Sequence, residues 1–350
     1  MKKSLLFLPM LSLLLGGCIG KKTYEASEYM IPLPWEMTED FKILQLSDIH
    51  FSQSDVFEEH FKVLDRTIKA ADPNLIVLNG DCFTYADKHV VKKLFNFIDS
   101  YNIFWTYTFG NHDDQGYYPD TYIQRLLGNK TYGHSVFKNL EDDDVTGRSN
   151  FVLNLQDKAT HQVKYQVFLL DSNNYNFQTV EYDYIKQDQI NWYERIVNYS
   201  TTNFGGGSPI PSSMYMHIGV SEHTSIWDQS QDKDHQPDSI RVVLGDMEEW
   251  GGSPSSDLHF FKKITELGST KTISVAHDHA NDSVVEYEGV FLCHGVHSTN
   301  RIYNDKENVK FGGSVIKIDK TTLETSFKNF YVSYENENVT SQPEGEGWAK

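Results

Sequence analysis

The chain has 350 residues, of which 39% are hydrophobic and 13% aromatic, enough apolar material to form the core of one large domain. This composition excludes wholesale disorder, and the negative mean hydropathy excludes a protein with many membrane spans. The formal net charge of −18 disfavours binding to nucleic acid or to anionic lipid through a basic surface.

The first residues predict an export signal. Residues 1–3 are a short basic segment, and the apolar stretch at 5–15 is too short to span roughly 30 Å of hydrocarbon. The Leu-Gly-Gly-Cys at 15–18 resembles the bacterial lipobox, in which a peptidase cuts before the cysteine and the cysteine carries diacylglycerol. We therefore expect a lipoprotein signal peptide at 1–17 and an extracytoplasmic protein anchored to a bacterial membrane through lipidated Cys18. The alternative is an ordinary cleaved signal with a nearby cysteine.

Two cysteines remain if Cys18 is lipidated, namely Cys82 and Cys293. They lie far apart in the sequence, and a compartment outside the cytoplasm permits a disulfide without requiring one. We therefore expect both to be free, buried thiols.

A regular alternation of strands and helices begins near Phe41. Residues 18–37 are polar and interrupted by prolines, and we expect them to be a tether that precedes a domain at 38–335. The strand–helix alternation predicts βαβ units whose parallel strands end at one edge of a sheet. The apolar patterns predict strands at 41–46, 75–78 and 103–108, with helices at about 57–71 and 90–101 between them.

The second half of the chain is less regular. By composition we expect loop-rich insertions at 140–150, 205–208 and 228–239, and a disordered tail at 336–350. The apolar patterns predict strands at 165–170, 214–216, 272–275 and around 283–293, 313–319 and 325–334, with helices at about 183–197 and 258–267.

Side chains that can bind metals follow each of the first three predicted strands. Asp48 and His50 follow the first strand, Asp81 the second, and Asn111 and His112 the third. Ligands of open α/β sheets bind at the carboxyl ends of the strands, so these residues should converge in space. A glycine precedes both Asp81 and Asn111 and lets the backbone turn sharply at the strand end.

Two later strand ends carry the same kind of side chain, His217 after 214–216 and His277 and His279 after 272–275. The mixture of oxygen and nitrogen donors suits first-row metals such as manganese, iron, zinc or cobalt. Seven ligands are too many for one ion, whereas two ions about 3.5 Å apart would leave open positions for water and substrate. The candidate ligands are Asp48, His50, Asp81, Asn111, His217, His277 and His279, with Asp81 as the bridge.

The order and spacing of these motifs resemble those of the calcineurin-like metallophosphoesterases, over most of residues 41–300. The sequence His-Asp-His-Ala-Asn-Asp at 277–282 is similar to the purple-acid-phosphatase-like branch of that superfamily. The resemblance implies an α/β fold, namely a four-layer α/β/β/α sandwich with two mixed β-sheets. The matching elements are D-x-H at 48–50, G-D at 80–81, G-N-H-D at 110–113, the lone His217 and H-x-H at 277–279.

The resemblance also implies a role for each residue of the site. His112 would contact the phosphate and protonate the leaving oxygen, and Asp113 would orient the His112 imidazole. One metal ion would be held by Asp48, His50 and His279, the second by Asn111, His217 and His277, and both by Asp81.

These roles predict metal-dependent hydrolysis of a phosphate ester. Two divalent ions, Mn, Fe or Zn, would lower the pKa of a water, and the resulting metal-bound hydroxide would attack phosphorus in line. His112 would act as the general acid. The negative charge favours a small phosphorylated substrate, and monoesters and diesters fit equally well. The alternatives are a metal-binding surface lipoprotein without catalysis and a nuclease of the same fold, which requires a basic groove at the site.

Four further residues bear on the site. Ala276 stands where the family usually has glycine, and alanine is small enough that we expect the site to survive. His294 and His297 follow the strand that ends at Cys293, where a structural role is favoured over one in the pocket. Glu222, shortly after His217, fits a place in the pocket and a place in solvent equally well.

We predict a colourless enzyme with divalent metals. In purple acid phosphatases a tyrosine three residues after the bridging aspartate binds ferric iron and produces the colour. This chain has Thr84 at that position, and Tyr85 comes one residue late. We expect no charge-transfer band in the visible absorption spectrum of the purified protein. This spectrum is compared with that of the iron-loaded Thr84→Tyr variant. A visible band in the unmodified protein would contradict this prediction.

Overall fold

The computed structural model describes residues 21–53, 57–115, 120–129, 131–178, 180–230, 239–255, 257–299, 310–333 and 338–343. The predicted signal peptide at 1–17 and the predicted lipidation site Cys18 lie outside these residues. Among the described helices, none combines the length and the apolar character needed to cross a membrane.

The described residues form sixteen strands, six α-helices and a short 3₁₀-helix at Ala26–Tyr29. The strands are β1 Met30–Trp35, β2 Phe41–Leu46, β3 Leu75–Asn79, β4 Phe104–Thr108, β5 Phe151–Asp157, β6 Val163–Leu169, β7 Tyr175–Asn176, β8 Glu181–Tyr182, β9 Ser212–Tyr215, β10 Ile240–Leu244, β11 Thr270–Val275, β12 Val284–Tyr287, β13 Val290–His294, β14 Gly312–Ile318, β15 Thr325–Val332 and β16 Val339–Pro343. The helices are α1 Phe57–Ala71, α2 Lys88–Asp99, α3 Asp120–Gly128, α4 Gln187–Asn203, α5 Ser221–Ser230 and α6 Phe260–Leu267.

The strands assemble into two large mixed sheets. Among the described strands, one sheet has the order β16-β15-β14-β2-β3-β4 and the other has the order β1-β5-β6-β9-β11-β13-β12-β10. In the first sheet β2, β3 and β4 are parallel neighbours, joined by α1 and α2. The predicted βαβ arrangement with a common carboxyl edge is therefore confirmed.

Two hydrophobic cores define the layers of the molecule. The larger core joins α1 and α2 to residues of both sheets, and the second packs α4 and α6 against the eight-stranded sheet. In this second core Trp192 and Ile196 of α4 and Phe260 of α6 are buried with Phe168 of β6. Two mixed sheets with helical layers confirm the predicted α/β fold.

Local sequence signals explain where the helices begin and end. Asp87 caps α2, because its side chain accepts hydrogen bonds from the backbone N–H groups of His89 and Val90, at 2.8 and 3.0 Å. Helix α6 ends at Gly268, whose φ of 67° is a left-handed conformation that glycine adopts without steric cost. The apolar side chains of both helices then face the cores.

Two buried polar side chains connect the sheets beneath their carboxyl edge. Gln45 of β2 donates to the Val275 carbonyl oxygen at 2.8 Å and accepts from the Ser274 hydroxyl at 2.6 Å. Asn79 of β3 donates to the carbonyl oxygens of Met216 and Ser274, at 3.1 and 3.3 Å. Buried amides of this kind are tolerated because their hydrogen bonds are satisfied, and here they set one sheet against the other.

The cysteines behave as predicted. Cys82 and Cys293 are free and buried. Burial raises the pKa of both thiols well above the ordinary value, so both are protonated and unreactive at neutral pH.

The predicted tether at 18–37 is wrong for much of its length. Residues 30–35 form β1, which pairs in parallel with β5 at the edge of the eight-stranded sheet. Leu33 and Trp35 are buried, while Pro32 and Pro34, which alternate with them along the strand, are exposed. An edge strand tolerates prolines because one side of its backbone needs no partner, so prolines did not mark a linker here.

The predicted tail at 336–350 is also wrong in part. Residues 339–343 form β16, which pairs antiparallel with β15 at the edge of the six-stranded sheet. Its side chains are partly or fully exposed, so the strand is held by backbone pairing and shows no apolar pattern in the sequence. The domain therefore extends beyond the predicted limits of 38 and 335 at both ends.

The corrected N-terminal boundary can be tested by substitution. Trp35 is 2% exposed and packs edge-to-face on Phe41, so Trp35→Ala should lower the free energy of unfolding by about 3–5 kcal/mol. Glu36→Ala removes only an exposed ion pair with Lys158 and should cost less than about 1 kcal/mol. Urea unfolding measures both values. If both substitutions had equally small effects on the free energy of unfolding, the prediction that residues 18–37 are a tether would be supported instead.

Candidate metal centre

The predicted ligands converge at the carboxyl edge of both sheets. Asp48 and His50 follow β2, Asp81 follows β3, and His217 and His277 follow β9 and β11 of the facing sheet. All but His217 have a positive φ, at 52° for Asp48, 51° for His50, 49° for Asp81 and 75° for His277. Such left-handed conformations are strained for non-glycine residues, and they cluster at sites where the surrounding structure holds side chains for a function.

The first group of possible ligands is Asp48, His50 and His279, all buried, with donor atoms within 4.8 Å of one another. The His50 Nε2 and His279 Nε2 atoms lie 3.2 Å apart, and the Asp48 Oδ1 atom lies 3.4 Å from His279 Nε2. Two imidazole nitrogens and a carboxylate oxygen therefore face one point. These are the three residues predicted for the first metal ion.

The second group is Asp81, His217 and His277, again with donor atoms within 4.8 Å. The His217 Nε2 atom lies 3.0 Å from Asp81 Oδ2, and His50 Nε2 of the first group lies 3.9 Å from the same oxygen. The Asp81 carboxylate thus lies within reach of both groups. This is the position that a bridging ligand needs.

The third strand contributes a loop that is tied to Asp81. The backbone N–H of His112 donates a 2.7 Å hydrogen bond to Asp81 Oδ1, which ties the turn that carries Asn111 to Asp81. Asn111 is 7% exposed. The half-buried ring of His112 lies edge-to-face on His50, with 5.0 Å between ring centroids. The predicted general acid therefore borders the first group.

The predicted role of Asp113 in orienting His112 is wrong. Asp113 Oδ2 accepts hydrogen bonds from the backbone N–H groups of Gly110 and Asp81, at 2.8 and 3.0 Å, and Oδ1 accepts from Phe83 at 3.2 Å. The His112 Nδ1 atom is buried and makes no hydrogen bond within the described residues. Asp113 instead joins the turns after β3 and β4, because buried N–H groups at strand ends need acceptors.

The contacts of His294, His297 and Glu222, whose roles the sequence left open, are now visible. His294 Nε2 lies 3.1 Å from Asp278 Oδ2, and the ring of His297 stacks on His279 with 5.5 Å between centroids. Glu222 lies in α5, is partly exposed and forms a 3.3 Å hydrogen bond with the Ser221 hydroxyl. These contacts favour structural roles for all three.

The electrostatics of the site call for positive charge. Burial alone would raise the pKa of Asp48 and Asp81, but the charges of His279 beside Asp48 and His217 beside Asp81 outweigh burial and hold both values below the ordinary range. Burial alone would likewise lower the pKa of His217, but Asp81 outweighs it and raises the pKa to about 10. Without a metal ion, His217 therefore carries compensating charge beside Asp81, and, against burial, Asp48 likewise raises the pKa of His279.

His50 and His277 are neutral imidazoles. Burial lowers the pKa of His50 to about 3 and that of His277 to about 4. Burial, together with the charge of Asp81, raises the pKa of Asp113 to about 7. Neutral imidazole is the form that coordinates metal ions, so His50 and His277 are ready to bind without losing a proton.

The donor atoms fit a metal centre. The Oδ1 atoms of Asp48 and Asn111 are buried and form no hydrogen bond within the described part of the chain. Burying such oxygen atoms costs free energy unless a cation binds to them. The His217 Nδ1 group donates to the Asn79 carbonyl oxygen at 2.9 Å, which leaves Nε2 as the donor toward Asp81. Metal-binding histidines commonly have such a second hydrogen bond to fix the ring.

A model of the calcineurin-like phosphoesterase family matches residues 41–281, more than half of the chain. This chain belongs to the calcineurin-like phosphoesterases. The predicted family is thereby confirmed, and the relatives below support its purple-acid-phosphatase-like branch.

The chain is similar to two Arabidopsis thaliana proteins named probable inactive purple acid phosphatases. It is 27% identical to number 14, over 73% of this chain and 69% of the relative, and 24% identical to number 29, over 84% and 81%. Its fold is similar to that of a dimetal phosphatase from Danio rerio, with a TM-score of 0.51 and 9% identity over 87% of this chain and 96% of the other. That last likeness concerns the fold alone.

The chain supports its candidate ligands through residues that sequence reasoning did not assign to the site. Thr84 Oγ1 forms a 2.7 Å hydrogen bond with His50 Nδ1, which turns Nε2 toward the centre. Tyr182 lies edge-to-face on His277, with ring centroids 4.2 Å apart. Asn79, which accepts the hydrogen bond of His217 Nδ1, had a signal in the sequence, because it is a polar residue at the end of the apolar strand β3. Thr84 was indicated only by its place three residues after Asp81, and Tyr182 has no signal, because only the folded chain brings it to His277.

Gly110 is required because the turn after β4 lies directly on Asp81. A Cβ atom at Gly110 would lie 2.2 Å from Asp81 Oδ1 and 2.4 Å from the Asp81 backbone nitrogen. No side chain fits such a distance, so any larger residue must displace the carboxylate.

We therefore predict that Gly110→Ala lowers the amount of metal bound per chain, because the displaced Asp81 no longer reaches both groups. Gly133→Ala is the matched control, since a Cβ atom there would meet no atom within 4 Å. Elemental analysis of dialysed protein measures the bound metal. Equal metal contents of the two variants would show that the close approach of Gly110 to Asp81 is not needed.

Proposed function

We propose that this protein is a metal-dependent phosphoesterase that hydrolyses a small phosphate ester. The observation that carries the proposal is the arrangement of two ligand groups on either side of Asp81, with His112 bound to the same carboxylate through its backbone. A bound pair of divalent cations supplies an acidified water as nucleophile and neutralises the phosphoryl oxygens.

Each residue of the chain then has a distinct task. Asp48, His50 and His279 form one half of the centre, Asp81 is shared, and Asn111, His217 and His277 form the other half. This assignment follows the two observed groups, with the buried Asn111 carbonyl oxygen added to the second. The strained turns at four of these positions hold the donors in place before any ion binds.

His112 is the proposed general acid. Its ring is partly exposed, it lies against His50, and its Nδ1 atom has no hydrogen-bond partner among the described residues. The imidazole is therefore not committed to another residue, while its backbone is fixed to Asp81. A histidine in this position can give a proton to the departing oxygen of the substrate, which typically contributes about a hundred- to ten-thousand-fold in rate.

A metal-binding protein without catalysis is the second candidate, because the two curated relatives above are named probable inactive enzymes. The presence of His112 together with all seven predicted ligands supports catalysis instead. We further propose that the mature protein works outside the cytoplasm, anchored to a membrane through Cys18. The net charge of −18 supports a small substrate rather than nucleic acid.

The test is hydrolysis of para-nitrophenyl phosphate and of its bis ester by metal-stripped protein to which Mn²⁺, Zn²⁺ or Fe²⁺ is restored. We expect metal-dependent turnover that Asp81→Asn abolishes. His112→Ala should lower kcat by about a hundred- to ten-thousand-fold and leave the bound metal unchanged, because His112 acts on the leaving group. The preferred ester distinguishes a phosphatase from a phosphodiesterase.

The matched control is His89→Ala, which removes an exposed histidine of α2 and should leave turnover unchanged. Tight metal binding without turnover of either ester would overturn the catalytic proposal and favour the metal-binding protein. A His112→Ala variant with full activity would remove the general acid from the proposal but leave the metal centre in place.

A further inference from the structure

A buried carboxylate–imidazole pair lies behind the turn that carries His277 and His279. The His294 Nε2 atom lies 3.1 Å from Asp278 Oδ2, and their side chains are 2% and 8% exposed. The other oxygen of Asp278 accepts a 2.7 Å hydrogen bond from the backbone N–H of Gly252. The Asp278 carboxylate thus accepts a hydrogen bond from the loop that precedes α6 and lies in ion-pair contact with the last residue of β13.

Asp278 lies between ligands that belong to different halves of the centre. His277 belongs with Asp81, whereas His279 belongs with Asp48. The turn is tight, because His277 has a φ of 75° and the Asp278 N–H donates to the Ala276 carbonyl oxygen at 2.8 Å. A strained turn keeps its shape only where its surroundings hold it. Fixing Asp278 therefore fixes the direction of two imidazoles at once.

The partner of Asp278 is itself fixed. His294 donates its backbone N–H to the Ser283 carbonyl oxygen at 2.8 Å, and its Nδ1 atom lies 3.4 Å from the Ser283 hydroxyl. The loop that carries Gly252 lies directly against the turn, because a Cβ atom at Gly252 would lie 2.6 Å from the His277 ring. Neither partner of Asp278 can move without moving the turn.

We propose that Asp278 and His294 are positioning residues of the metal centre, which hold the 277–279 turn so that each of its imidazoles faces its own ligand group. The inference rests on the proposed metal centre but not on catalysis. Residues that orient metal ligands typically affect metal affinity by about ten- to a hundred-fold when they are replaced.

The test measures Zn²⁺ affinity of the full chain by competition with a chromophoric chelator, together with the absorption spectrum of the Co²⁺-loaded protein. We expect His294→Leu to weaken metal binding by about ten- to a hundred-fold and to change the cobalt spectrum. His294→Gln keeps an N–H group that can reach Asp278, and it should restore most of the affinity.

His223→Leu is the matched control. His223 is 1% exposed, lies edge-to-face on His294 with 5.0 Å between ring centroids, and has no hydrogen bond from either ring nitrogen to the described residues. Its replacement removes a buried imidazole without removing a contact to Asp278, so metal affinity should stay at the unmodified value. Thermal unfolding of the metal-free variants separates loss of the fold from loss of the site.

Asp278→Asn serves as a second variant, because it keeps the size of the side chain and an oxygen for the Gly252 N–H. Unchanged affinity and cobalt spectra in His294→Leu and Asp278→Asn would overturn the inference, as would an equal loss in His223→Leu. Because the affinities are measured without substrate, a chain that binds metals but hydrolyses no ester overturns the proposed function alone.

Discussion

Two aspartate side chains that are buried next to each other, Asp48 and Asp81, determine how the rest of the site must be built. Each is 1% exposed, and buried carboxylates are costly unless cations or donors surround them. Among the described residues no lysine or arginine pairs with either, and the nearest imidazoles are His217 beside Asp81, at 3.0 Å, and His279 beside Asp48, at 3.4 Å. The negative charge of the two aspartates is therefore suited to bound metal cations. A metal ion would displace a proton from His217 when it binds.

The two-sheet architecture meets this requirement by supplying ligands from opposite sides. The parallel strands β2, β3 and β4 are followed by Asp48, Asp81 and Asn111, while the facing sheet supplies His217 after β9 and His277 and His279 after β11. Gln45 and Asn79 join the sheets just below this edge, and Asn79 also accepts the hydrogen bond that sets the His217 ring. The buried polar residues of the core thus support the fold and the centre together.

Behind the ligands lie further acidic residues whose side chains form hydrogen bonds with the backbone of the ligand-bearing turns and of neighbouring loops. Asp113 accepts three backbone N–H groups from the turns after β3 and β4, and Asp278 accepts one from Gly252. Acidic residues beside ligands therefore act in this protein by fixing turns. The chain is similar to relatives that are named probable inactive purple acid phosphatases. The fold alone therefore does not decide the chemistry, which depends on the individual donor side chains.

Much of this protein could be predicted from its sequence, because its signals are local. Apolar periodicity located the strands before Asp48 and Asp81, and polar residues placed directly after such strands indicated a common edge. The edge strands β1 and β16 escaped because prolines and polar side chains are acceptable where only one side of a strand is paired. The partner of β1 is also more than a hundred residues away in the sequence, and no local pattern can indicate such a pairing.

The identity of the candidate ligands was likewise a property of the sequence, since donor chemistry is carried by residue type. Their division into two groups, the position of Asp81 within reach of both, and the supports from Thr84, Tyr182 and His294 were decided by tertiary structure. So was the role of Asp113, which adjacency to His112 in the sequence had suggested wrongly. The physical reason is that a side chain's direction depends on the φ angle of its turn and on which buried donors need an acceptor, and both are set only when distant strands pack together.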